Sequence, residues 1–274
     1  MKKEAFYKKF FYVFGLVIIA TILIFVKNQL AISYENTKIL IKNKLGTLRV
    51  EDSKITVSGD YESTCVEFSN EKIVSFCVGD VDNDNSQEVL LLLGKLNEEY
   101  ADRLAILFYN DDNTFLEKSF TMNRFNPWKV QVGDIDGDGN LDISVGVYKK
   151  VLYHPVMAKR PFIYSFKDGN LVPKWLGSRL ARPFHDYIFV DLDNDKTHEL
   201  VSIEDTKDGK KILAAYKWKG FGFEEYSRSE SYVDIDDLSM EDEDLISVQV
   251  KSNNVQNYIK KTFYLKQEKL VVKN

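Results

Sequence analysis

The residues best suited to chemistry in this chain are carboxylates, and they fall into three clusters with one spacing. Asp80, Asp82, Asp84 and Glu88 form the first, Asp134, Asp136, Asp138 and Asp142 the second, and Asp191, Asp193, Asp195 and Glu199 the third. Each places acids at positions 1, 3, 5 and 9 of a short loop. Carboxylates so close repel one another unless a cation sits among them. Calcium suits such a loop because it takes several oxygen ligands in flexible geometry, whereas magnesium demands a tighter octahedron and keeps its waters. An EF-hand would need a glutamate at position 12 and flanking helices. Position 12 here is Leu91, Val145 or Ser202, and a strand-like apolar run follows each cluster. The expectation is up to three structural calcium sites, the second loop the strongest, then the first, then the third.

The loops must be held by the elements around them. Their first aspartates lie 54 and 57 residues apart, a repeat period to be read before anything else. Strand-like runs precede each loop (73–78, 129–132, 187–190) and follow it (89–93, 143–147, 200–203). Two more fill each interval: 103–109 and 115–122, 161–166 and 171–176, 211–217 and 223–226. Four short strands per period, joined by turn residues, is the layout of a propeller blade. A degenerate fourth loop is expected at Asp234-Ile235-Asp236-Asp237 and Glu241-Asp242-Glu243-Asp244, followed by strands at 245–250, 263–265 and 270–272. Strands near 55–57 and 64–68 would complete the last blade and close the ring, removing exposed edges. The fold class expected is therefore all-β, a propeller-like array of about four blades.

Over residues 72–250 this pattern resembles the FG-GAP (VCBS-like) repeat of integrin α-subunit propellers and many bacterial surface proteins. The second loop matches that motif fully, with Asp134, Asp136, Asp138, Gly139 and Asp142. The resemblance implies that these four aspartates bind calcium by side chain and that Asn140 offers a backbone carbonyl. The first loop has Asn85 where the motif has glycine, and Asn tolerates a left-handed backbone. The third has Lys196 there, which must bear strain and whose ammonium could displace the metal.

Ahead of the repeats, Lys2, Lys3, Lys8 and Lys9 precede an uncharged run of 17 residues, 10–26. That length is near the lower limit for a membrane-spanning helix. A cleaved signal peptide shares the layout, but Gln29-Leu30-Ala31 is a poor cleavage site, and an uncleaved signal anchor is favoured. The expected organisation is a cytoplasmic N-terminus (1–9), a transmembrane anchor (10–26), a juxtamembrane linker (27–45) and an extracytoplasmic propeller domain (46–274). Cys65 and Cys77 flank a turn at 69–72, and pairing the strands about Glu71 sets them opposite each other. A disulfide in an oxidising compartment and two small buried thiols are both open readings, the second slightly favoured.

The net charge of −5 lacks the basic field of a nucleic-acid binder. His154, His185 and His198 are scattered, and no nucleophile arrangement, phosphate loop or zinc spacing is present. Trp175, Arg179 and Arg182 sit in a non-repeated stretch and form a candidate ligand face, with blade packing the favoured alternative. The functional expectation is a membrane-anchored, calcium-binding propeller used for binding, adhesion or scaffolding, with a protein or cell-envelope glycan as partner. A polysaccharide-processing enzyme and an accessory subunit of a membrane complex are the alternatives.

Overall fold

The structure is a computed structural model that describes residues 35–273 other than 61, 111, 178, 243 and 253–256. Twenty strands form five four-stranded antiparallel sheets, each built from consecutive strands. Blade 1 holds β1 (Glu35–Ile41), β2 (Lys44–Glu51), β3 (Lys54–Gly59) and β4 (Thr64–Glu67). Blade 2 holds β5 (Glu71–Gly79), β6 (Glu88–Lys95), β7 (Arg103–Tyr109) and β8 (Phe115–Thr121). Blade 3 holds β9 (Pro127–Gly133), β10 (Asp142–Val151), β11 (His154–Lys167) and β12 (Asn170–Leu176). Blade 4 holds β13 (Phe184–Val190), β14 (Glu199–Asp205), β15 (Lys211–Trp218) and β16 (Phe223–Arg228). Blade 5 holds β17 (Asp234–Asp242), β18 (Leu245–Lys251), β19 (Ile259–Lys266) and β20 (Lys269–Val272).

The sequence of β6 shows why the blades stack. Residues 89–93 are apolar without alternation and fully buried, because an inner strand has a neighbouring blade on each face. Val89, Leu91 and Leu93 join Ile39, Leu48, Ile55 and Val57 of blade 1. Leu90 and Leu92 face the other way, onto Val130, Ile143, Val145 and Phe162 of blade 3. Ile163 then packs with Tyr187, Phe189 and Leu200 of blade 4, and Ile188, Val201 and Leu213 with Ile235, Ile246 and Val248 of blade 5. Among the described residues no buried apolar cluster spans blades 5 and 1. A cavity of about 460 Å³ is lined by Val50 and Asp52 of blade 1 and Leu238 of blade 5, and equally by the first strands of blades 2 and 3 through Ser75 and Gln131.

Each first strand runs toward the turn that carries the Asp loop in blades 2, 3 and 4, so these turns share one rim. Hydrogen bonds tie them in series. Gln87 N donates to Leu40 O at 2.7 Å, Asn83 Nδ2 to Asn140 Oδ1 at 2.6 Å, and His198 N to Asp134 O at 2.7 Å. The turns between second and third strands occupy the opposite rim, as does Glu35 at the start of β1. From that rim β10 and β11 project as a two-stranded arm. Their pairing continues through Tyr148↔Lys159 and Lys149↔Ala158 to Val151↔His154, past the last partners on β9 (Val147↔Pro127) and β12 (Phe162↔Leu176).

Several expectations are corrected. There are five blades, not about four. Blade 1 is complete within 35–67, so its strands do not finish the last blade, and part of the expected linker 27–45 is β1 and the start of β2. Its lysines disguised a period-2 pattern in which Ile39, Ile41, Leu48 and Val50 point inward. Lys42 and Asn43, both at positive φ (49° and 61°), make the tight turn that joins twisted strands. The acidic stretch 234–242 is a strand, β17, rather than a degenerate loop. Cys65 lies on the outer strand of blade 1 and Cys77 on the inner strand of blade 2, opposite Thr56 and Leu90 respectively. Both thiols are free; Cys77 is desolvated, which pushes its thiol pKa well up. The expected anchor, 10–26, falls outside the described residues, among which no helix is long and apolar enough to cross a membrane.

Candidate metal centre

The three loops link β5 to β6, β9 to β10 and β13 to β14. In each, the first aspartate organises the turn through backbone donors. Asp80 accepts from Asp84 N and Asn85 N (3.1 and 2.9 Å), and Asp191 from Asp195 N and Lys196 N (3.1 and 2.9 Å). Asp134 accepts from Gly137 N and Gly139 N, both at 2.8 Å. Reaching the fifth amide bends the chain into left-handed backbone at position 6. Asn85, Gly139 and Lys196 have φ of 67°, 84° and 70°, as the motif requires, so Lys196 does carry that strain. The fifth-position acids close the tips: Asp84 on Ser86 N, Asp138 on Asn140 N and Asp195 on Thr197 N, at 2.7 to 2.9 Å.

The closing acids differ. Glu88 and Glu199 reach back to Val81 N and Leu192 N, both at 2.9 Å. Asp142, a methylene shorter, instead accepts from Ser165 Oγ at 3.0 Å and Lys174 Nζ at 2.7 Å. All three are buried. Burial raises Glu88 to about 8 against a backbone donor that lowers it, with Asp80, Asp82 and Asp84 adding to the rise. Burial raises Glu199 to about 7, and Lys217 pulls it down. Asp142 is raised by burial and held back by Lys174.

The carboxylates converge as triads. Ligand oxygens of Asp80, Asp82 and Glu88 lie within 4.8 Å of one another, as do those of Asp134, Asp136 and Asp138, and of Asp191, Asp193 and Glu199. The donor sets are all oxygen, the chemistry calcium takes. Cations of the chain already occupy two of the loops. Lys217 Nζ stands 2.5 Å from Asp193, 3.4 Å from Asp195 and 3.2 Å from Glu199. Lys174 Nζ stands 2.6 Å from Asp136 and 2.7 Å from Asp142. Burial alone would lower both lysines, but their carboxylate partners outweigh it and hold them above the usual range. Sequence reading missed both. It pointed to Lys196, whose backbone rather than ammonium enters the loop.

Trp175 packs edge-on against Trp218 and Phe223, with centroids 6.2 and 5.2 Å away. Arg182 is spent on Glu204 and Glu225 at 2.6 and 2.8 Å. Only Arg179 of the candidate ligand face is exposed, so the stretch is largely blade-to-blade packing. Asn140 turns its amide to Asp138 at 2.9 Å and to Asn83 of the first loop.

Fold and loops together define the class: an all-β propeller whose inner hairpins carry Asp-rich turns. Residues 80–145, the first two loops and the strands between them, match the family model described as FG-GAP-like repeat. The chain is thus a β-propeller carrying an FG-GAP-like repeat. A comparison with curated proteins gives no match.

Proposed function

We propose that this chain is a membrane-tethered, extracytoplasmic propeller that binds a partner through the β10–β11 arm, with calcium stiffening the opposite rim. The observation that carries the reading is the arm itself. Leu152 and Tyr153 at its tip are 84 and 89% exposed, and Val156 and Met157 extend the apolar surface. A contiguous exposed patch of this kind marks an interaction site. The arm is held stiffly for the purpose. Arg160, fully buried, donates to Lys149 O, His154 O and Val156 O at 2.8, 3.1 and 2.8 Å. The arm also leaves the rim at which Glu35 begins β1, so a tether on the preceding chain would turn the arm toward the membrane and the Asp loops away from it.

The enzyme reading finds less support. Lys129, Lys159 and Lys211 converge at the channel mouth, but Lys129 is paired with Asp186 and Lys211 with Asp234, each at 2.6 Å. Lys159 donates to His185 O and lies over the Trp128 ring. These groups satisfy one another and leave no free base or nucleophile among them.

The test is a photo-crosslinking residue placed at Tyr153 or at Phe221 in the full chain in its native membrane. Phe221 is equally exposed but sits on the loop rim. A discrete adduct from position 153, absent from 221 and lost with Leu152→Ser, is expected. No adduct at 153, or the same one from both rims, would remove the arm as the binding surface.

A further inference from the structure

The three acid clusters share a sequence pattern but not what faces them. Glu199 lies level with Lys217, since the adjoining pair is Leu200↔Tyr216. In the first loop the adjoining pair is Val89↔Leu107, so Glu88 lies level with Phe108. That ring stacks on Phe166 of blade 3, centroids 5.8 Å apart, and brings no charge to the loop. In the second loop the level residue is Ser165, and the cation arrives from β12 instead, through Lys174. Among the described residues no lysine or arginine forms an ion pair with Asp80, Asp82, Asp84 or Glu88.

We propose that Lys174 and Lys217 are built-in cations that take the metal's place in the second and third loops, so that calcium is held by the first loop alone. This rests on the calcium reading above and reverses the order suggested by motif quality, in which the second loop ranks first. Calcium must approach carboxylate oxygens to about 2.3–2.6 Å. Lys174 already stands against Asp136 and Asp142, and Lys217 against Asp193, Asp195 and Glu199, so an ammonium shares part of each carboxylate set and supplies positive charge there. To enter the third loop the metal would have to expel Lys217 from three carboxylates and leave a partly buried ammonium unpaired, a costly exchange. The first loop has the opposite need. Glu88 is 2% exposed, three further carboxylates surround it, and no side-chain cation is there to offset them.

The experiment counts calcium ions per chain by native mass spectrometry on the full-length protein released from detergent. The wild type is expected to bind one ion and Glu88→Gln none. Lys217→Met is expected to gain a second ion, retained when Glu88→Gln is added, and Lys174→Met to gain one in the same way. Two or three ions in the wild type, or folded Lys→Met proteins that take up no more calcium than the wild type, would overturn the proposal. No ion in any of these proteins would instead sink the calcium reading on which it rests. A second readout needs no variant: amine labelling of Lys174 and Lys217 in the wild type should be slow and unchanged by calcium that saturates the first loop. Labelling that speeds up with calcium would show the lysines being expelled, against the proposal.

Discussion

Gly133 lies so close to Phe189 of the next blade that a Cβ added to the glycine would stand 2.8 Å from the phenylalanine Cβ. The glycine before the second loop's first aspartate is therefore there for blade approach, not for the turn. Gly79 is the same, with Val132 Cγ2 at 2.7 Å from its added Cβ. Gly133→Ala should cost about 1–3 kcal/mol through overpacking, read as a lower thermal midpoint without loss of the β-sheet circular dichroism signal.

Arg160 is the arm's internal brace. Replacing it by Met leaves carbonyls of Lys149, His154 and Val156 without their donor. Hydrogen bonds to a charged group contribute roughly 1.5–3 kcal/mol each, so amide exchange over 148–159 should rise by about tenfold or more. Exchange over β13 to β16 should change far less. Uniform acceleration throughout the chain would show that Arg160 supports the whole ring rather than the arm.

His154 makes the arm sensitive to acid. Arg160 Nη2 lies 2.8 Å from His154 Nδ1, and a guanidinium can only donate, so that nitrogen must be unprotonated. Burial, then the charges of Arg160 and Arg179, hold the imidazole below its usual 6.5. A lowered histidine pKa favours the folded state above the unfolded value and forfeits that support as pH falls through the folded one. Protection factors in the arm should therefore drop below about pH 6.5, and Arg160→Met should weaken the dependence without abolishing it, since burial and Arg179 still act on His154.

Calcium and pH should act on the same carboxyl. Glu88 is raised from 4.5 to about 8, so without metal the folded state holds a proton that the unfolded chain releases. The contribution of Glu88 to stability is then greatest below 4.5 and falls until pH passes about 8. Glu199 contributes in the same direction up to about 7. In chelator, the denaturation midpoint should fall from pH 5.5 to pH 8, and excess calcium should offset the fall by mass action. Glu88→Gln should flatten the part of the slope above pH 7 and remove the calcium response.

What the sequence discloses here depends on whether a signal is local. The Asp loops are local: their spacing, the positive φ at Asn85, Gly139 and Lys196, and the strands on either side follow from neighbours along the chain. The first hairpin of blade 1 was hidden because it has no Asp loop and because Lys38, Lys42 and Lys44 interrupt its apolar pattern, and its last two strands, legible near 55–57 and 64–68, were thereby assigned to the wrong blade. β17 was hidden by acids on its outward face, Ile235 alone marking the buried side near its start. The roles of Lys174 and Lys217 depend on cross-strand register and on a bulge in β12, where Ile163 pairs with Trp175 but Tyr164 with Pro173. That bulge leaves Lys174 unpaired and aims it at the loop, a displacement that no spacing rule along the chain reveals.

The gap in the apolar packing between blades 5 and 1 makes the molecule a linear stack bent into a ring and left unclasped. Load applied to such a stack enters at an end. A pull on the chain ahead of Glu35 meets β1, whose seven residues pair with β2 from Glu35↔Val50 to Ile41↔Lys44. Because the force would run along the strand, these pairs would resist in shear, all together, rather than peel one after another. The end of the stack nearest the proposed tether is thus the one arranged to bear tension, while blade 5, whose buried apolar cluster among the described residues is shared with blade 4 alone, is the end free to come away first.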